Sequence, residues 1–129
     1  MTDALPILVA EDNDFVRTQI CKYLEDADYQ VDQADSGDSA LAKVKSNKVA
    51  MAIVDVRMEP GNGLDFISAV QGYEMDIPVI LVTGDDNPDI LKKAGELKVS
   101  AMLTKPVEKD RLLKAVERVL TVKNKKQEM

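Results

Sequence analysis

The sequence predicts an α/β sandwich, a doubly wound (βα)5 arrangement on a five-stranded parallel sheet of order 2-1-3-4-5, and three observations lead there. Four short apolar runs, ILVA (7–10), MAIV (51–54), VILV (79–82) and AML (101–103), are continuous rather than alternating, as strands covered on both faces should be. Segments with apolar residues every three to four positions lie between them. This strand-then-helix unit recurs five times in 129 residues, the length of one domain, without a linker or low-complexity tract.

Each element has its own signal. After the first strand, Val16, Ile20, Leu24 and Ala27 mark one face of a helix. Residues 29–34 alternate more than the other runs, which suits a second strand near an edge. Ser36 to Val44 and Leu64 to Val70 give shorter helices on either side of the third strand. The fourth strand precedes a helix marked by Ile90, Ala94 and Leu97; the fifth precedes Leu112, Val116 and Val119. Beyond Val122 the chain turns polar and basic, so residues 1–122 are expected to form the domain and 123–129 a polar tail or linker stub. Right-handed crossovers put helices on both faces of the sheet.

Composition narrows the function classes. The chain has no histidine, which removes the usual general base, the commonest metal nitrogen ligand and any phosphohistidine of its own. Triad hydrolases, zinc proteases and self-sufficient histidine kinases are thereby excluded. Cys21, the one cysteine, has no disulfide partner and sits in an apolar helical pattern, where a small core residue is expected. There is no basic-then-apolar N-terminus and no apolar stretch long enough to span a bilayer, so the expectation is a cytoplasmic protein without a membrane partner. Net charge is −6, with 13 acids against 6 bases in residues 1–65 and 10 against 11 in the rest. An acidic first half and bases spaced along helices argue against a direct nucleic-acid surface.

In open parallel sheets the ligand crevice lies beyond the carboxyl ends of the strands. The residues ending the runs are Glu11 and Asp12, Asp55, Thr83, and Lys105 with Pro106. Taken singly, each has a plainer role: the acids as helix caps, Asp55 and Thr83 as turn residues, Lys105 as a solvated loop lysine. Their coincidence at one end of the sheet is what those roles leave unexplained. Three converging carboxylates need a cation, and oxygen-only ligands in a sparsely liganded site favour magnesium over calcium. With a lysine and a hydroxyl beside it, such a crevice suits phosphoryl oxygens, and the nearest carboxylate becomes a nucleophile.

The segments ILVAEDND, DVRMEPGNGLDFI, VILVTGD and LTKP, in this order and spacing, resemble the receiver domain of two-component response regulators, a flavodoxin-like fold, over roughly residues 5–122. The resemblance implies that Asp55 is the phosphoacceptor and that Asp12 and Asp55 bind Mg2+ directly. Glu11 would reach the metal through water, and Arg57 would offer its backbone carbonyl. Thr83 and Lys105 would bind phosphoryl oxygens, and the Lys105–Pro106 peptide would be cis. It further implies a phosphoprotein that catalyses only its own phosphorylation and dephosphorylation. The donor would be a histidine kinase or histidine phosphotransfer protein, and the fourth helix, fifth strand and fifth helix would form the output face. There Lys92, Lys93, Lys109, Arg111, Lys114 and Arg118 suit an acidic effector protein or domain, or a homodimer with cross-paired charges.

Three positions depart from the family pattern. Glu59 stands where proline is usual, with Pro60 next to it. Met102 stands at the switch position, where a ring is usual; a thioether fills the same space but has no hydroxyl to change partners. Leu97-Lys98-Val99-Ser100 replaces a small-residue turn, so the fourth helix is expected to end unusually. Arg57 and Asp85 would face each other across the crevice mouth and lengthen the life of the acyl phosphate. Two other readings stay open: a receiver-like interaction module that is not phosphorylated, and an aspartyl-phosphate phosphatase. Against the phosphatase, Arg57 occupies the place of its general acid; against a flavin carrier, the acidic first loop would repel a cofactor phosphate.

Overall fold

Parallel ladders join all the apolar runs in the computed structural model, which describes residues 5–58, 61–84 and 88–128. The elements are β1 (Ile7–Ala10), α1 (Asp14–Asp26), β2 (Val31–Ala34), α2 (Gly37–Ser46) and β3 (Met51–Asp55), then α3 (Gly63–Gly72), β4 (Val79–Thr83), α4 (Pro88–Glu96), β5 (Ala101–Thr104) and α5 (Lys109–Glu128). Strand order is β2-β1-β3-β4-β5, every pair parallel.

Alternation along the strands divides the core in two. Leu8, Ala10, Ala52, Val54 and Leu81 face α2, α3 and α4, where Phe66, Ile67 and Ala94 meet them. Ile7, Val9, Met51, Ile53 and Val82 face α1 and α5, against Ile20, Leu24, Leu112 and Val116. Cys21 is buried in that second layer. The central strands β1, β3 and β4 are buried end to end, hence their continuous apolar runs. The 101–103 run departs from full coverage: β5 is an edge strand with half-buried residues, because the helices flanking the sheet cover its border incompletely. Strands β3, β4 and β5 each run one residue past their apolar stretch, so Asp55, Thr83 and Thr104 are ladder residues, with Asp55 opposite Val82 and Thr83 opposite Thr104.

Helix ends explain the local geometry. The α1 cap is Asn13, whose Oδ1 accepts from the Val16 N–H at 3.0 Å, and the α3 cap is Asn62, accepting from Asp65 at 2.8 Å. Helices α1, α3 and α4 all close with the same pair of backbone bonds around a residue with positive φ. For α4 the N–H of Lys98 (φ 57°) donates to Gly95 O and that of Val99 to Ala94 O; Glu74 and Asp28 play the part of Lys98 in α3 and α1. The unusual end of α4 is thus a Schellman motif with lysine in place of glycine. Helix α5 continues to Glu128, so the polar segment after Val122 is helical. Among the described residues no helix is long and apolar enough to cross a membrane.

Candidate functional site

Because β1, β3 and β4 are adjacent and parallel, their carboxyl ends open onto one crevice. Glu11 follows β1, Asp55 ends β3 and Thr83 ends β4, and all three are buried, 1%, 4% and 3% exposed. Asp12 lies in the solvent-facing mouth. Oxygens of Glu11, Asp12 and Asp55 all lie within 4.8 Å of one another. Since Asn13 caps α1, neither Glu11 nor Asp12 is used as a cap.

Lys105 reaches the same point from the edge strand. Its backbone N–H donates to Thr83 O at 2.9 Å, which holds the end of β5 beside the end of β4. Its Nζ is 3.0 Å from Glu11 Oε1 and 3.2 Å from Asp55 Oδ2, donating a hydrogen bond to the latter. The Lys105–Pro106 peptide is cis. Glu11 Oε2 accepts from the Asn13 N–H at 3.2 Å; Oε1 is buried and, apart from the ion pair with Lys105, has no hydrogen bond. Desolvation, then the hydrogen bond and charge of Glu11, raises the Asp12 pKa above its ordinary value. Burial pulls Lys105 the other way, but contact with Glu11 and Asp55 outweighs it, and its pKa stands above the usual lysine value.

The loop from β3 into α3 is set by a close approach. A Cβ on Gly63 would fall 2.3 Å from Asp55 O, and the Gly63 N–H donates to Val56 O at 3.0 Å. Only glycine lets α3 start this near the end of β3. A groove of about 430 Å³ adjoins the acids, lined by Asp12, Val56, Arg57, Met58, Asn62, Leu64 and Ile90. Arg57 is exposed at its rim; Asp85, Glu59 and Pro60 lie outside the described residues. Met102 is half-buried on the α4 side of β5, three residues before Lys105.

Three carboxylates facing one ammonium leave negative charge in excess, and the buried Glu11 Oε1 has capacity to spare. The donor set is all oxygen, which fits a hard divalent cation such as Mg2+. Two further residues support the acids from α1. Asn13 frees the acids by capping α1, and Arg17, one turn into α1, donates to Glu11 O at 2.7 Å. A larger cleft of about 510 Å³ lies at the opposite pole, where Pro78 and Ser100 precede β4 and β5.

Residues 7–117 match the family model described as response regulator receiver domain. The chain is 31% identical over 110 residues to the acid tolerance regulatory protein ActR of Rhizobium meliloti (strain 1021), covering 85% of this chain and 56% of that protein. It is 31% identical over 113 residues to the CAI-1 autoinducer sensor kinase/phosphatase CqsS of Vibrio cholerae, covering 85% of this chain but 16% of the relative. The chain thus spans about half of one of these relatives and a small part of the other. Among solved structures, Vibrio cholerae chemotaxis protein CheY4 superposes with a TM-score of 0.83 at 28% identity, over 90% of this chain and 98% of that one.

Proposed function

The chain belongs to the response regulator receiver domain family, and from that premise we propose that Asp55 accepts a phosphoryl group and that the fold relays its arrival to a partner. Receiver domains are phosphoacceptors of two-component systems rather than classical enzymes. The observation that carries the reading is the convergence of Glu11, Asp12 and Asp55 within 4.8 Å, with Lys105 between Glu11 and Asp55.

In this reading an Asp55 carboxylate oxygen attacks phosphorus of a phosphohistidine on a histidine kinase or histidine phosphotransfer protein. A P–O bond forms, the P–N bond breaks, and its electron pair stays on the imidazole nitrogen. With no histidine in the chain, the donor imidazole is external. Mg2+, when bound, supplies positive charge to the phosphoryl oxygens. Asp12, Asp55 and the Arg57 carbonyl would hold it directly, and Glu11 through water. The Lys105 ammonium turns from the carboxylates to a phosphoryl oxygen, and the Thr83 hydroxyl donates to another. Movement of Thr83 draws the loop ahead of α4, changing the α4–β5–α5 face. There Lys92, Lys93, Arg111, Lys114 and Arg118, all exposed, meet an acidic effector or a second copy, whereas Lys109 stands 3.8 Å from Asp26 of α1. Met102, lacking a ring, leaves most of the readout to that loop and α4. Arg57 and Asp85 shield the acyl phosphate from water, residues 1–122 act as the unit, and the protein works in the cytoplasm.

Intact mass after incubation with acetyl phosphate and Mg2+ tests this. The expected result is one phosphoryl adduct, about 80 Da, the mass of PO3H by atom count, which is absent without metal and absent in Asp55→Asn. No adduct from either acetyl phosphate or a phosphohistidine donor would leave an interaction module that signals by binding alone.

A further inference from the structure

The guanidinium of Arg17 is spent inside the fold. Its side chain is 15% exposed, whereas Asp14, its ion-pair partner one turn earlier, is 86% exposed. Three of its nitrogens hydrogen-bond to three different acceptors: Nη1 to the backbone oxygen of Glu11 at 2.7 Å, Nη2 to Asp14 Oδ1 at 2.6 Å, and Nε to Gln33 Oε1 on β2 at 3.1 Å. A surface pair at i,i+3 is worth only about 0.2–0.5 kcal/mol and does not account for burying an arginine. The main-chain acceptor does.

Glu11 O belongs to the peptide plane joining Glu11 to Asp12. On one side of Glu11 its N–H donates to Ala34 O at 3.0 Å, the last rung towards β2. On the other side its carbonyl accepts from Arg17. With both peptide planes of Glu11 fixed, the direction in which Asp12 leaves β1 is fixed as well. The planar fork suits this task, since one rigid group satisfies a carbonyl, a carboxylate and an amide oxygen at once.

We infer that Arg17 is a positioning residue for the cation site, pinning the Glu11–Asp12 peptide so that the acids are arranged before Mg2+ arrives. This rests on the receiver reading above. It also makes a prediction opposite in sign to simple electrostatics. Removing a positive charge near three carboxylates should tighten divalent binding; losing the arrangement should weaken it.

The experiment is calorimetric titration of the full chain with Mg2+ alone, for the wild type, Arg17→Met and Arg17→Lys, with metal-free thermal unfolding alongside. Partners that orient metal ligands typically contribute about 10- to 100-fold in affinity. The expected result is a loss of that order in Arg17→Met, and a smaller loss in Arg17→Lys, whose single ammonium keeps charge but not the fork. Unchanged or tighter binding in a folded Arg17→Met overturns the inference. Should that variant fail to fold, wild-type affinity in Arg17→Lys overturns it equally. A wild type that neither binds Mg2+ nor takes the phosphoryl adduct overturns the receiver reading itself, a result distinct from a wild type that binds and variants that bind alike.

Discussion

Lys105 supplies one positive charge to two buried carboxylates, Glu11 and Asp55, whose side chains are 2% and 5% exposed. Removing a partner from a buried ion pair leaves an uncompensated charge. Lys105→Met is therefore expected to lower metal-free stability by about 2–3 kcal/mol, less than the usual range of about 3–5 because Lys105 is 28% exposed. Mg2+ should recover more of that loss than it adds to the wild type, and urea unfolding with and without metal measures both. Asp32 and Lys43 make a second pair at 2.9 Å, well away from the crevice, and the lysine's hydrogen bond lowers the Asp32 pKa. A lowered carboxylate pKa contributes stability above the ordinary value near 3.8 and loses it as pH falls through the folded value. Lys43→Met should thus lower stability by about 0.2–1 kcal/mol at pH 7, and the difference should close below pH 4, read from unfolding curves at the two pH values. Cys21, buried with its pKa pushed up to about 11, stays a thiol at neutral pH and should react with a disulfide reagent only as the protein unfolds.

Among the elements, three helices end on residues that conformational preference disfavours. Asp28, Glu74 and Lys98 hold φ of 69°, 57° and 57°. Left-handed backbone costs an L residue about 1–2 kcal/mol, partly offset by the greater flexibility of an unfolded glycine chain. Lys98→Gly is accordingly expected to raise stability by about 0.5–1 kcal/mol in thermal unfolding, and no gain would mean that the lysine side chain compensates. Glycines within α3 and α4 make the opposite comparison. At Gly95 an added Cβ meets nothing within 4 Å, so Gly95→Ala should stabilise by about 0.5–1 kcal/mol. At Gly63 it would strike Asp55 O, so Gly63→Ala should cost about 2 kcal/mol or more and lower adduct formation as Asp55 shifts. A Gly63→Ala protein with normal stability would show that the β3–α3 approach is not rigid.

Over the whole molecule, the sheet joins a rigid centre to a looser border. Strands β1, β3 and β4 are buried throughout, and the acids stand at the ends of β1 and β3; β5 is half-buried, and α4 contributes only Ala94 as a fully buried residue. The least anchored elements are thus those next to Thr83 and Lys105, where the proposed switch would meet the least resistance. Hydrogen exchange with beryllofluoride and Mg2+ is expected to change protection in α4 and the segment before it more than in α1 or β1. Uniform protection everywhere, or a change centred on Met102, would contradict a readout through the loop and α4.

The chain alone laid down the layer architecture, because both-face burial forces the unbroken apolar runs of β1, β3 and β4 and the 3.6-residue spacing of the helices between them. It also determined the candidate site: Glu11, Asp12, Asp55, Thr83 and Lys105 stand where those runs stop, and a parallel sheet gathers such ends on one side. The polar contacts around the site emerge only in the folded molecule. Asn13 rather than Glu11 or Asp12 caps α1, and Arg17 turns inward to a carbonyl and to Gln33 on another strand. Left-handed closure at Asp28, Glu74 and Lys98, and the half-burial of β5, were equally invisible. Periodicity reports which face of an element meets the core; a hydrogen bond between residues brought together by the sheet, a terminal φ, and the coverage of an edge depend on neighbours that the local sequence does not encode.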